Sequence, residues 1–458
     1  MDRCASSGSP SGCSVPSKNE SLGDGRLRRL RSRWGCRCTF GSVSVTSVAV
    51  ERSGGPSKVS LERVEALDGY RAVAAIGVLV SHTAGEVWLI QPDEPGAHLL
   101  DNLGNFGVAV FFVLSGFVIF RPFVGASLEN RSQPPTVPYL IRRALRLYPA
   151  YWFALVFWAM SAPPADRAPG SRLGILLLAD PYTADYVWLT GLYVSWSLTV
   201  EVAFYLFLPI YALIVARLAC RHPDVTRRFR THLVGLGLLY VSAFVYRSLA
   251  GDHWGGARPG AVGWLPGFLD WFSLGMLLAL LHWWRESGGS MPTWLSGLAG
   301  RTAACWTIAA MSYGAIVVLK GDQLLFMRKE SAAQMSWRFF FQGMAALFFV
   351  LPAVLGRPNQ RSAVWFRHRA LLFLGSIAYG IYLWHPVTML WFHDVFAGES
   401  PRFRFVALTA IVLAATIPIA AASYWWLERP MMRLYHPGPR PATKQQRSPV
   451  KVAARESG

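Results

Sequence analysis

The sequence predicts an all-α, polytopic membrane protein with about ten transmembrane helices, and three observations carry that expectation. Of 458 residues, 53% are apolar and only 16% charged, against about 45–50% and about 25% for soluble domains. Aromatics reach 14%, with 19 Trp, and the mean hydropathy is +0.30, so the missing charge is replaced by residues suited to lipid and its interfaces. Apolar runs near the ~20 residues needed to cross hydrocarbon then recur along most of the chain.

The first sixty residues are rich in Ser, Gly and Arg and contain no apolar run long enough for a signal-peptide core, so targeting falls to the first span. Residues 1–60 are expected as a disordered basic tail, and their composition fits translation starting between Val50 and Val59. From there the apolar runs place spans at 71–90, 104–123, 147–164, 191–216, 233–249, 264–284, 302–319, 336–356, 370–392 and 405–427. The stretch 172–190 loses its apolar character at Asp180-Pro181 and reads as an interfacial or re-entrant piece on the outer side. Residues 61–435 thus form the membrane domain, and 436–458 a second disordered basic tail.

The formal net charge of +19 is spread in a way that suits a membrane rather than nucleic acid. Residues 1–60 hold ten Lys/Arg against four Asp/Glu, and residues 436–458 hold five against one. The loops at 124–146, 217–232, 285–301 and 357–369 carry 4, 5, 2 and 4 Lys/Arg, whereas 91–103, 165–190, 250–263, 320–335 and 393–404 carry 0, 2, 1, 3 and 2. The first set is therefore assigned to the cytoplasm, and an even span count puts both termini there too. Six Cys define neither a disulfide framework nor a CxxC metal signature: Cys4, Cys13, Cys36 and Cys38 lie in the polar tail, and Cys220 and Cys305 stand alone.

Ionisable residues inside the spans are functional candidates, because each costs about 2.5–3.5 kcal/mol at a helix centre on insertion scales. Arg71 opens the first span and His82 follows eleven residues later. Eleven steps of about 100° fall within roughly 20° of three turns and rise about 16 Å. The two share a face, with a basic entrance at Arg71 and an imidazole near mid-membrane. Glu86, at i+4 from His82, can orient that imidazole; the alternative is a His82 that only donates between helices. In "YVSWSLTVEVAFYLFLP" Glu201 lies one turn from both Ser197 and Tyr205, as a neutralised structural acid, a proton carrier, or the acceptor for a substrate hydroxyl. His385 precedes Pro386, whose missing amide hydrogen opens the turn before it for polar contacts, or is an interfacial His in an aromatic belt with Tyr382 and Trp384. Arg142, Arg143 and Arg146, at i,i+4 and i,i+3 spacings, line one basic face. Such a cluster either anchors the helix or binds a phosphorylated cytosolic ligand.

The segments "LDGYRAVAAIGVLVSH", "GVAVFFVLSGFVIFRPF", "RRALRLYPAYW", "WSLTVEVAFYLFLP", "FLDWFSLGMLLALL", "YGIYLWHPV" and "WWLERP" follow in the order and spacing of the acyltransferase-3 family of integral membrane proteins, which the chain resembles over about 65–435. The resemblance implies a ten-helix core that takes an acyl group from cytosolic acyl-CoA, a co-substrate rather than a cofactor, and places it on a hydroxyl of a carbohydrate or glycosylated compound. Carried over, the family's first-helix Arg and His fall on Arg71 and His82, its RxxR pair on Arg143 and Arg146, and its buried acid on Glu201. Roles for Arg142 and Glu86 rest on helix geometry alone. His82 is expected as general base, Arg71 on donor or transition-state charge, Glu201 positioning acceptor or His82, and Arg143, Arg146, Arg142 and His385 binding substrate. Many members append an extracytoplasmic hydrolase-like domain. Here only residues 428–458 follow the last span, so transfer is expected from the membrane domain alone or with a separate partner. A secondary transporter would also bury Arg, His and Glu, but no Gly/Pro-broken spans recur in matching halves; a mere scaffold would leave the arginines without a ligand.

Overall fold

The structure is a computed structural model that describes residues 66–87, 96–162, 172–183, 192–250, 261, 263–320, 331–357 and 360–435. Both expected tails lie outside these residues. Among the described residues the elements are helical and no strand occurs, as expected where backbone polar groups must be satisfied within each spanning segment. The long helices are α1 (Ala66–Glu86), α2 (Ala97–Leu128), α3 (Thr136–Ser161), α4 (Ser195–Ala219), α5 (Val225–Leu249), α6 (Leu269–Glu286), α7 (Thr302–Lys320), α8 (Ala332–Leu355), α9 (Ala378–Phe392) and α10 (Pro401–Ser423).

Each expected span coincides with one of these, but the count of ten is not reproduced by length and apolarity. Six helical stretches are long and apolar enough to cross a membrane. A seventh is Arg369–Ser376 with α9, bent by 69° at their junction. The helices α1 and α3 fall short because they carry the polar residues singled out above, and α7 has a shorter apolar stretch, Thr302–Val318. The 172–190 piece forms Arg172–Leu177 and Asp180–Thr183, with 184–190 outside the described residues. Tyr148, Tyr151 and Trp152, in the middle of α3, donate to the carbonyls of Leu177, Ile175 and Leu176 at 2.9, 2.7 and 2.9 Å. These three bonds dock the piece along α3.

The centre of the bundle is the α2–α6 crossing, made by two glycines. A Cβ on Gly116 would collide with the Phe272 carbonyl, and one on Gly275 with the Val113 carbonyl, so only hydrogen lets the two backbones approach this closely. Phe272 then stacks on Phe112 at 4.6 Å and on Phe204 of α4 at 4.0 Å. Gly375 does the same for the start of α1, since a Cβ there would strike the Asp68 carbonyl. This contact sets Asp68 and Arg71 against the bend before α9.

A buried ion pair ties α5 to α6. Arg247 Nη2 donates to Asp270 Oδ2 at 2.9 Å, Nη1 donates to the Gly267 carbonyl, and the guanidinium lies 4.7 Å from the rings of Phe244 and Phe339. Asp270 also accepts from the Trp271 amide at 3.0 Å. Arg247→Leu strands a buried carboxylate and should cost about 3–5 kcal/mol, whereas the Arg247→Leu/Asp270→Leu double variant should recover most of that loss. Thermal unfolding in detergent reads both, and a double variant as unstable as the single one would refute the pairing.

Candidate functional site

Two neighbouring constellations gather the titratable residues. In the first, His82 of α1 meets His385 of α9, with Nδ1 of His82 2.8 Å from Nε2 of His385. The His385 Nδ1 lies 3.1 Å from the Ile381 carbonyl, within the turn that Pro386 loosens. A carbonyl only accepts, so His385 Nδ1 carries the hydrogen, and neutral His385 presents a lone pair at Nε2. His82 Nδ1–H must then donate to it, which leaves His82 Nε2 as a free acceptor. The rings are nearly coplanar, 20° apart, and meet edge to edge with centroids 5.1 Å apart. Threonine pairs brace the helices around them: Thr388–Thr416 at 2.6 Å between α9 and α10, and Thr83–Thr409 at 2.8 Å between α1 and α10.

The second constellation is a cavity of about 440 Å³ lined by Arg71, Arg121, Arg143 and Arg146 and by Asp68, Glu201 and Glu428, with apolar wall from α2 and α4. Arg71 is held by Asp68 at 2.7 Å, one helical turn away. Glu201 Oε1 accepts from Ser115 Oγ of α2 and from the Tyr205 hydroxyl, both at 2.7 Å. Arg143 lies 5.8 Å from the rings of Tyr139 and Tyr205, and its Nε is buried with no hydrogen-bond partner among the described residues. Glu428 is buried and accepts from Ser423 Oγ at 3.3 Å. It is turned inward by the π-helical turn Tyr424–Glu428 that continues α10, a distortion frequent at functional sites. Guanidinium groups held this way suit a multiply charged phosphate ligand.

Tyr382 separates the two. Its hydroxyl pairs with Ser197 Oγ at 2.7 Å and donates to the Val194 carbonyl at 3.0 Å. Its ring stands 5.8 Å from Phe111, which lines the cavity, and 6.0 Å from His385, which does not.

The structure brings four of the sequence candidates, Arg71, Arg143, Arg146 and Glu201, to one cavity, and His82 is not among the residues that line it. Three placements differ from expectation. His385 has no exposed surface and touches His82 rather than the cavity, because the opened turn at Pro386 points its ring at α1. Arg142 is exposed and off the cavity, since it lies about 100° around the helix from Arg143. His82 Nδ1 is engaged by His385 rather than by Glu86. Sequence reasoning missed Ser115, Arg121, Tyr382 and Glu428 as site residues. Each stands in one of the quoted motif segments, but only the π turn and the α2–α4 contact reveal where they point.

A family model described as an acyltransferase domain matches residues 64–425. The O-acetyltransferase OatA of Staphylococcus aureus (strain NCTC 8325 / PS 47) is 23% identical over 393 residues, covering 80% of this chain and 57% of the relative. Nodulation protein 10 of Rhizobium leguminosarum bv. viciae is 26% identical over 402 residues, covering 80% of this chain and 93% of the relative. The chain thus spans little more than half the length of the staphylococcal relatives it matches. No solved structure matches it.

The tautomers can be read directly. In ¹⁵N-histidine-labelled protein, with both rings neutral, His82 and His385 should each show a protonated Nδ1 and an unprotonated Nε2. A His82 protonated at Nε2 would reverse the pair and remove the free lone pair.

Proposed function

The chain belongs to the acyltransferase-3 family, matched over most of its length, and from that premise we propose that it is a membrane O-acyltransferase moving an acyl group from acyl-CoA to a hydroxyl of a carbohydrate or glycosylated compound. The observation that carries the reading is the direction of the His82–His385 hydrogen bond. A general base needs a free lone pair and a partner that holds the ring, and His82 Nε2 has both. The name of the staphylococcal O-acetyltransferase supports acetyl as the group moved.

A thioester is already activated, so the reaction lacks a deprotonated alcohol and a place for developing charge. The acceptor oxygen attacks the thioester carbonyl carbon while His82 Nε2 takes its proton. The imidazolium is stabilised through Nδ1–H by His385, itself anchored on the Ile381 carbonyl dipole. The carbon–sulfur bond then breaks, and the proton on Nε2 passes to the departing sulfur, giving an ester and a free thiol. His385 is thereby a positioning residue.

Arg143 and Arg146 hold the donor phosphates, with Arg71 beside them. About 16 Å of helix rise separates Arg71 from His82, which assigns Arg71 to donor charge rather than to the transition state. Glu201, fixed by Ser115 and Tyr205, positions the donor within the cavity. The Tyr382 ring stands between the cavity and the histidine pair, on the way that the thioester takes to His82. The excess of Lys/Arg in alternate loops supports a donor mouth on the cytoplasmic side.

His82→Ala should lower kcat by about 10²–10⁴ in a folded, inserted protein; a near-wild-type rate would move the base elsewhere. Arg143→Ala or Arg146→Ala should raise KM for acyl-CoA about 10- to 100-fold with little change for acceptor, and Lys should restore it only in part. Equal weakening toward both substrates would make these arginines helix anchors.

A further inference from the structure

Against the His82 ring stands an aromatic pair that does not line the donor cavity. The Tyr193 ring packs edge-on to the His82 ring with centroids 5.2 Å apart, and Trp158 of α3 packs edge-on to Tyr193 at 5.9 Å. The Tyr193 hydroxyl and Trp158 Nε1 are both buried atoms with no hydrogen-bond partner among the described residues, although each residue as a whole is only half-buried. Glu86, also half-buried, lies within electrostatic reach of Tyr193. Neither ring lines the cavity, and Trp158 lies fifteen residues along α3 from Arg143, a rise of about 22 Å. Two buried donors without acceptors are costly where water is scarce, and here they belong to neighbouring rings, one of which packs on the His82 imidazole.

We propose that Tyr193 and Trp158 form the acceptor subsite and that its ligand is a pyranoside. The Tyr193 O–H and the Trp158 N–H donate to oxygens of the sugar, and Glu86 accepts from one of its hydroxyls. The reacting hydroxyl rests on His82 Nε2. A sugar ring matches this chemistry because it offers oxygens that accept, hydroxyls that donate and C–H faces that pack on aromatic rings. Donor and acceptor then approach the imidazole from opposite ends of the bundle. This assignment rests on the acyltransferase reading for the reaction but not for the binding.

The test measures binding of methyl glucosides, galactosides and mannosides to the full-length protein in nanodiscs, without donor, by titration calorimetry. Wild type should bind at least one of them, and Tyr193→Phe and Trp158→Phe, which keep an aromatic ring and remove one donor each, should each bind it about 2- to 12-fold more weakly. Acetyl-CoA affinity and melting temperature should stay at wild-type values, which separates a lost contact from a lost fold. Failure of wild type to bind any of the glycosides, undiminished binding by both variants, or an equal loss toward acetyl-CoA would each overturn the subsite. A wild-type protein that binds a glycoside through these two residues yet acylates none would leave the subsite standing and reject the acyltransferase reading.

Discussion

The hydrogen bond between His82 and His385 is the interaction on which the rest of this structure depends. It joins residues 303 positions apart, from the first and ninth long helices, in surroundings where an unpartnered imidazole is expensive. Its polarity follows from one backbone carbonyl: once His385 Nδ1 is committed to Ile381, every other proton in the pair has its place. The threonine pairs to α10 and the loosened turn at Pro386 hold the two rings in register. One imidazole nitrogen is therefore left with a lone pair in an interior where most polar groups are satisfied.

The protein treats its buried charges in two ways. Arg247 and Asp270 are closed upon each other and capped by backbone groups and aromatic rings, as expected of a pair that locks helices together. Two arginines of the cavity, Arg71 and Arg143, are held differently. Arg71 has Asp68 on one side only, and Arg143 rests over two tyrosine rings with a buried nitrogen unmatched. Arg247 and Arg143 each keep a buried Nε without a hydrogen-bond partner among the described residues, so what separates them is the carboxylate that Arg247 holds and the cavity that Arg143 lines.

Small residues govern where these groups end up. Gly116 and Gly275 bring α2 against α6, which carries Ser115 into reach of Glu201, and Gly375 brings the first turn of α1 against the bend before α9. Both contacts are van der Waals approaches of backbone to backbone, the main source of helix association where lipid is as apolar as the side chains. The polar site is assembled on positions that have no side chain.

Much of this was legible beforehand. Composition and the spacing of apolar runs determined an all-α membrane protein, because hydrocarbon admits few other solutions, and the cost of burying charge marked Arg71, His82, Glu201 and the Arg143–Arg146 pair. Helical periodicity placed Tyr205 one turn from Glu201, where it is found. The partners across helices were not legible. That His385 meets His82 rather than a substrate, that Ser197 bonds Tyr382, and that Glu428 turns into the cavity each depend on a break in regular geometry, at Pro386, at the bend before α9 and at the π turn. A sequence by itself determines which residues share a face of their own helix, because the period is local. Which face of which helix they meet was decided only by tertiary packing, where one missing Cβ or one displaced turn redirects a side chain.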